Sequence, residues 1–132
     1  MSQTSLDIVR RFSEALHRKH MKEARAFLPD DLVVHEAGGL PYSGDYHGPQ
    51  GFFDLLATMN ETLELNLGHT SRDVLSDNTV VSRFRLTFTA RASGKNTEMS
   101  LIELYRISQG RIIELDVYYK DPSAVAALLT GN

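Results

Sequence analysis

His35 and Glu36 are two titratable side chains at the end of a short apolar stretch, directly before a glycine-rich loop. The β-branched residues Val33 and Val34 predict a strand here, and neighbouring side chains on a strand point to opposite faces. At most one of the pair therefore faces the interior. If His35 faces inward, its imidazole can exchange protons near neutral pH. The alternative is a residue at the rim of the sheet without a chemical role.

Glu103 is the second candidate, because it shares a predicted strand face with the apolar residues Met99 and Leu101. A carboxylate on an apolar face is costly unless it is paired or kept neutral. Such placements concentrate at functional sites. Two alternatives stay open: an arginine partner, or a face assignment that is displaced by one residue.

Three tyrosines are candidates for ligand contacts. Tyr42 and Tyr46 lie in the glycine-rich loop, where they would either cover a pocket or anchor the loop by packing. Tyr119 ends the inner face of the last predicted strand and could offer a hydroxyl to a ligand, although a core aromatic with its hydroxyl at the rim is the favoured interpretation. His69 lies in a predicted strand, but nothing else supports a role for it.

The spacing of the apolar residues changes from a helical period to a period of two near Leu63. Before this point the pattern predicts helices over 5–20, 21–27 and 48–63 and a strand over 31–36. After it, alternation predicts four strands and Asp121-Pro122 opens a last helix. The predicted later elements are strands from 63 onward and over 79–91, 98–107 and 111–120, and a helix over 123–129.

This order predicts one α+β domain over residues 1–132: a strongly curved antiparallel sheet around three helices, with a short C-terminal helix. Such a cone has an open mouth, which is a natural place for an apolar pocket. The outer sheet face is expected to form a homodimer through a partly polar interface. The expected pocket lining is Phe12, Phe84, Leu86, Phe88, Leu101 and Val117. The expected interface residues are Ile102, Leu104, Ile112 and Tyr118, with Arg106 and Asp116.

Composition excludes several classes of protein. The net charge of −3 argues against a nucleic-acid partner, which needs a basic face. No apolar run approaches the ~20 residues of a membrane helix, and a cytoplasmic protein is the simplest interpretation. The absence of cysteine rules out disulfides and cysteine-ligated metals. The histidines do not have metal-ligand spacing, so neither a metal nor another cofactor is expected.

The element order, the segment HEAGGLPYSGDYHGPQGF and the ending GRIIELDVYYKDP resemble the nuclear transport factor 2-like (NTF2-like) superfamily. The closest likeness is to ketosteroid-isomerase-related and SnoaL-type polyketide cyclase-like proteins. The resemblance implies a proton shuttle at His35 and a neutral acid at Glu103 that donates to an oxyanion. The helix tyrosine that assists in the steroid isomerases is replaced by Phe12. The polar residues of the related epoxide hydrolases fall at Phe84, Leu86 and Val117, so that reaction is not expected.

Two functions follow as expectations. The first is an isomerase- or cyclase-type proton transfer on a small hydrophobic carbonyl compound, with His35 and Glu103 as the catalytic pair. The second is a binding module that holds an apolar ligand without chemistry. The apolar residues at Phe12 and at the hydrolase positions favour the binding module.

Overall fold

A computed structural model describes residues 4–130 as four helices and one six-stranded sheet. The predicted α+β cone is confirmed: a curved sheet with helices from the first half of the chain packed against it. No helix in this part of the chain is long and apolar enough to cross a membrane. The helices are α1 (Ser5–His17), α2 (Met21–Arg25), α3 (Gly48–Thr62) and α4 (Pro122–Leu129). The strands are β1 (Val33–Glu36), β2 (Gly44–His47), β3 (Leu63–Ser76), β4 (Thr79–Ala90), β5 (Asn96–Ser108) and β6 (Arg111–Tyr119).

Helix α1 begins at a side-chain cap and ends three residues before its predicted boundary. The Thr4 hydroxyl accepts a hydrogen bond from the Asp7 backbone N–H at 3.1 Å, which satisfies one free donor of the first turn. The helix ends at His17 because Lys19 adopts a left-handed φ of 60°, which breaks the helical path. The turn that follows directs the chain into α2.

The sheet has the strand order β2-β1-β6-β5-β4-β3 and is not entirely antiparallel. Strand β1 runs parallel to β6, with Val34 beside Leu115. Strand β2 pairs antiparallel with β1 in a stretch that the sequence indicated as loop. The strand has only four residues, which are mostly exposed, so it carries no alternating apolar pattern that could reveal a strand. The four-strand meander β3–β6 is confirmed.

The concave face of the sheet packs against α1 and α3 and forms the hydrophobic core. Phe12 of α1 is at its centre, with its ring 5.6 Å from Phe52 of α3 and 6.5 Å from Tyr105 of β5. The alternation predicted for β4 and β5 is confirmed, since Phe88 and Leu101 are both buried. Full burial of such side chains contributes about 1.5–3 kcal/mol each.

A β-bulge changes the facing of residues at the start of β6. Arg106 pairs with Glu114, but Ile107 pairs with Ile112, so Ile113 is the extra residue. Ile112 therefore points into the core and is only 1% exposed. Its expected place on the outer, dimer-forming face is wrong, because strict alternation does not continue through a bulge.

Gly48, at the start of α3, has a φ of +72°, which residues with a side chain rarely adopt. A Cβ at this position would also lie 3.2 Å from the Asp30 carbonyl oxygen. Its N–H donates to the Leu32 carbonyl at 2.8 Å and ties the helix to the segment before β1. Glycine is therefore required for conformation and for space.

We expect Gly48→Ala to lower the free energy of unfolding by about 1–3 kcal/mol, because this is the usual cost of forcing a residue with a side chain into a left-handed conformation. Gly38→Ala is the matched control, because Gly38 lacks a positive φ and has open space where the alanine methyl group would lie. Urea denaturation followed by circular dichroism measures both. Equal stabilities of the two variants would contradict the argument.

Candidate functional site

A cavity of about 390 Å³ opens between α1, α3 and the inner face of β3–β5. Its size is within the range of small-molecule sites. Most of the wall is apolar, and polar groups enter it from the sheet and from the end of α1. The apolar wall includes Phe12, Leu16, Phe52, Leu56, Leu67, Phe84 and Leu115. The polar wall includes Ser13, His17, Lys19, Asn60, Thr70, Arg72, Ser82, Glu103 and Tyr105.

Arg72 reaches the cavity because β3 contains a bulge. Leu67 pairs with Leu86, but the next pair in register is Thr70 with Phe84, so β3 carries one extra residue. Before the bulge the odd-numbered residues of β3 face inward, and after it the even-numbered ones do. Arg72 therefore faces inward opposite Ser82, where uninterrupted alternation would have turned it to solvent.

Glu103 lies in the cavity wall on the inner face, as expected, opposite buried Ser82. The Tyr105 hydroxyl donates to Glu103 Oε1 at 2.7 Å. Burial raises the pKa of Glu103, while the Tyr105 bond and the Arg72 charge oppose that rise. Burial and the adjacent carboxylate keep the pKa of Tyr105 well above its ordinary value. The pair thus consists of a carboxyl group biased towards its neutral form and a tyrosine that stays a donor.

Glu36, and not His35, is the inward residue at the end of β1. It shares its strand face with Val34, which is fully buried. The Ala37 backbone N–H donates to Glu36 Oε1 at 2.9 Å. Burial raises the pKa of Glu36 to about 7, and the negative charge of Glu103 adds to the rise. Two interacting carboxyl groups therefore occupy the concave face.

The tyrosines near Glu36 form a packed cluster outside the cavity wall. The hydroxyls of Tyr42 and Tyr119 are 2.9 Å apart, and the Tyr46 hydroxyl donates to the Tyr42 carbonyl at 2.8 Å. The Tyr119 ring stacks on Phe88 with centroids 5.6 Å apart. Burial raises the pKa of both Tyr42 and Tyr119. These residues anchor the loop after β1 to the sheet, which was one of the two alternatives for Tyr42 and Tyr46.

His35 lies on the outer face of the sheet, so its expected inward orientation is wrong. Its Nδ1 is 2.8 Å from Asp45 Oδ1, and its Nε2 is 3.0 Å from Glu114 Oε2. Arg106 in turn donates to Glu114 at 3.4 Å. The hydrogen bond with Asp45, followed by that with Glu114, raises the pKa of His35. Val34 rather than Val33 takes the core position, and this choice sends His35 outward.

Only part of the expected pocket lining contacts the cavity. Phe12 and Phe84 lie in its wall. The other apolar candidates face inward as expected but are packed in the core and do not reach the wall; they are Leu86, Phe88, Leu101 and Val117. His69 is exposed. Sequence reasoning missed Ser13, Arg72, Ser82 and Tyr105 as wall residues, although the alternation of β4 and β5 already placed Ser82 and Tyr105 on the inner face.

The polar wall has hydrogen-bond donors and acids but not the ligand set of a metal. Among residues 4–130, no three histidine or acidic side chains converge in a way that could hold a metal ion. Arg72, His17 and Lys19 add cationic or proton-exchanging groups to the cavity wall. This arrangement can orient an organic molecule through oxygen atoms while apolar side chains hold its body.

A curved sheet packed on α1–α3 matches the cone architecture of NTF2-like folds. A family model described as the SnoaL-like domain matches residues 9–115. The chain therefore belongs to the SnoaL-like family of the NTF2-like superfamily. No sequence relative was found among curated proteins.

Solved structures of the same fold match nearly the whole chain. An NTF2-like protein from Burkholderia xenovorans has 19% identity and a TM-score of 0.85, covering 96% of this chain and 97% of its own. A candidate polyketide cyclase from Xanthomonas campestris has 16% identity and a TM-score of 0.79, with coverages of 94% and 96%. TerC, co-crystallised with polyporic acid, has 11% identity and a TM-score of 0.81, with coverages of 95% and 98%. At identities this low, the likeness shows a shared fold and nothing about activity.

Glu36→Gln tests the neutral bias of the inward carboxyl group. Because the pKa of Glu36 rises from 4.5 to about 7 on folding, wild-type stability falls as the pH rises through this window. The glutamine variant lacks that loss, so its melting temperature relative to wild type should increase between pH 4.5 and pH 8. Between these two pH values the free energy of unfolding of the variant relative to wild type should rise by about 3 kcal/mol, because each unit of pKa shift corresponds to about 1.4 kcal/mol.

Thermal melts across this pH range measure the effect, with Glu61→Gln on the exposed side of α3 as control. Glu61→Gln makes the same chemical change at an exposed position, and the Glu36→Gln difference is compared with it at each pH. A Glu36→Gln difference that is the same at pH 5 and pH 8 would show that Glu36 is not held neutral.

His35 should titrate above its ordinary value of 6.5, and Asp45→Asn should move its midpoint back towards that value. These ion pairs stabilise the fold fully below pH 6.5, and their contribution is lost as the pH rises through the raised pKa. Proton NMR of the imidazole signals gives the midpoints, with Asp73→Asn on β3 as control. A wild-type midpoint at or below 6.5 would refute the pairing of His35 with Asp45 and Glu114.

Proposed function

We propose that the protein binds a small, mainly apolar carbonyl compound in the cavity and promotes proton transfer next to the carbonyl group. The observation that carries this proposal is Glu103, a carboxyl group with a raised pKa in a largely apolar wall. In its neutral form it can donate a hydrogen bond to a ligand oxygen, because Tyr105 already occupies Oε1. The polyketide cyclase description of a structural neighbour agrees with this reaction class.

The chemistry is an enolisation. A base removes the proton from the carbon next to the carbonyl, the electron pair moves to the carbonyl oxygen, and the hydrogen bond from Glu103 stabilises the charge that develops there. The proton then returns to carbon from the base or from solvent. Among the described residues of the wall, His17 supplies the imidazole, a side chain that commonly acts as a base.

A binding module without chemistry is the second candidate. His35 lies on the outer face, and Glu36 is absent from the described cavity wall. The cavity wall therefore lacks the inward proton shuttle that the resemblance placed at His35. The co-crystal of TerC with polyporic acid supports the idea that a cone of this fold accommodates an organic molecule.

The ketone 2-tetralone tests both candidates, since it is compact, apolar and has exchangeable α protons. We expect the wild type to accelerate deuterium exchange at these protons in D₂O, measured by proton NMR. Glu103→Leu should lower that acceleration by about 10²–10³-fold, the loss typical of one oxyanion donor. Glu103→Gln keeps a neutral donor and should retain part of it.

The matched control is Glu98→Gln, which alters a carboxylate on the opposite face of the same strand. His17→Gln should slow exchange while leaving tetralone binding, measured by saturation transfer, unchanged. Binding without accelerated exchange would establish the binding module in place of the enzyme. Failure of tetralone to bind would contradict both candidates.

A further inference from the structure

Among residues 4–130, the Arg72 guanidinium faces the cavity with no hydrogen-bond or ion-pair partner. Its Nε is buried and makes no hydrogen bond. Within residues 4–130, no carboxylate oxygen lies within 4.0 Å of it, whereas Arg85 and Arg106 on the outer face both have such partners. An unpaired cation in a partly buried place is costly. Arg72 thus differs from arginines that serve only to pair with acids of the sheet.

Glu103 does not neutralise Arg72. Although Arg72 acts electrostatically on Glu103, the two groups form no ion pair. Burial instead biases Glu103 towards its neutral form. Since a guanidinium stays protonated, Arg72 keeps its positive charge in the cavity wall at neutral pH. Lys19, in the wall near the end of α1, has the same sign.

We propose that Arg72 is the anchor for a carboxylate on the ligand, so that the cavity takes an apolar organic acid and not a neutral ketone alone. The inference rests on the proposed function, because the same ligand places its carbonyl oxygen at Glu103. Guanidinium groups bind carboxylates through paired hydrogen bonds. The apolar side chains Phe12, Phe52 and Leu56 hold the rest of the molecule.

The spacing of the strands allows both contacts at once. Arg72 pairs with Ser82, and Ser82 pairs with Glu103, so the three residues form one row across β3, β4 and β5. Backbones two strands apart are about 10 Å from each other. The side chains at the two ends of this row, Arg72 and Glu103, both reach into the same cavity. An anion on Arg72 would also offset the positive charge that opposes protonation of Glu103. Binding of the acid therefore favours the donor form of Glu103.

The probes are 2-naphthoate and its neutral isostere 2-naphthamide, titrated into the full chain by calorimetry. We expect naphthoate to bind the wild type at least tenfold more tightly than naphthamide. Arg72→Gln should remove that preference by weakening naphthoate binding at least tenfold, with little change for naphthamide. Arg85→Gln, on the outer face and paired with Glu98, should leave both affinities unchanged.

The stability of Arg72→Met without any ligand is a second test of the proposal. Because it removes an unpartnered cation, we expect its melting temperature to equal or exceed that of the wild type. A clear loss of stability would show that Arg72 has a structural partner and would overturn the proposal. Equal affinity of the wild type for the two probes, or no binding of either, would also overturn it.

The two proposals fail in different ways. Tetralone exchange that depends on Glu103, together with no naphthoate preference, would retain the proposed function and reject the Arg72 anchor. A naphthoate preference that depends on Arg72, together with no tetralone exchange, would retain the anchor in a protein that binds without catalysis.

Discussion

Burial of the concave sheet face against α1 and α3 is the interaction on which the rest of the structure depends. Phe12 joins the layers by contacting Phe52 on α3 and Tyr105 on the sheet. Burying this apolar surface supplies the main favourable free energy of folding. It also creates an environment of low polarity in which an inward titratable group is costly unless it is neutral, paired or supplied with hydrogen bonds. The cavity lies in the same layer, so its chemistry follows from the packing.

Two of the three inward titratable groups meet this constraint within the protein, and Arg72 does not. Glu36 and Glu103 are biased towards their neutral forms by burial. Glu103 also accepts from Tyr105, and this bond leaves its second oxygen for a ligand. Arg72 cannot lose its charge, so it alone of the three calls for a negative partner. The result is a wall that can donate to a neutral oxygen at one point and attract an anion at another.

Much of the fold could be predicted because its signals are local. Strands β4 and β5 pair without a bulge between them, so alternation placed both Ser82 and Glu103 on the inner face. The short strand β2 was missed because its exposed residues need no apolar pattern. The inward orientation expected for His35 came from aligning the chain without gaps to the family that it resembles. Val33 and Val34 before it are both apolar, so the sequence does not show which of them is buried. The outer-face homodimer stays a prediction.

Hydrophobic periodicity along the chain is enough to predict the α+β cone, the order of its main elements and the inward place of Glu103, because it reports directly which face is buried. The inward facing of Arg72 and Ile112, and the place of Glu36 instead of His35 on the concave side, depend on how distant strands pair. The physical reason is that a β-bulge or a choice of strand face depends on pairing with distant strands. One extra residue in β3 or β6 reverses the facing of the residues beyond it, and that residue is recognisable only when its partner strand is in place.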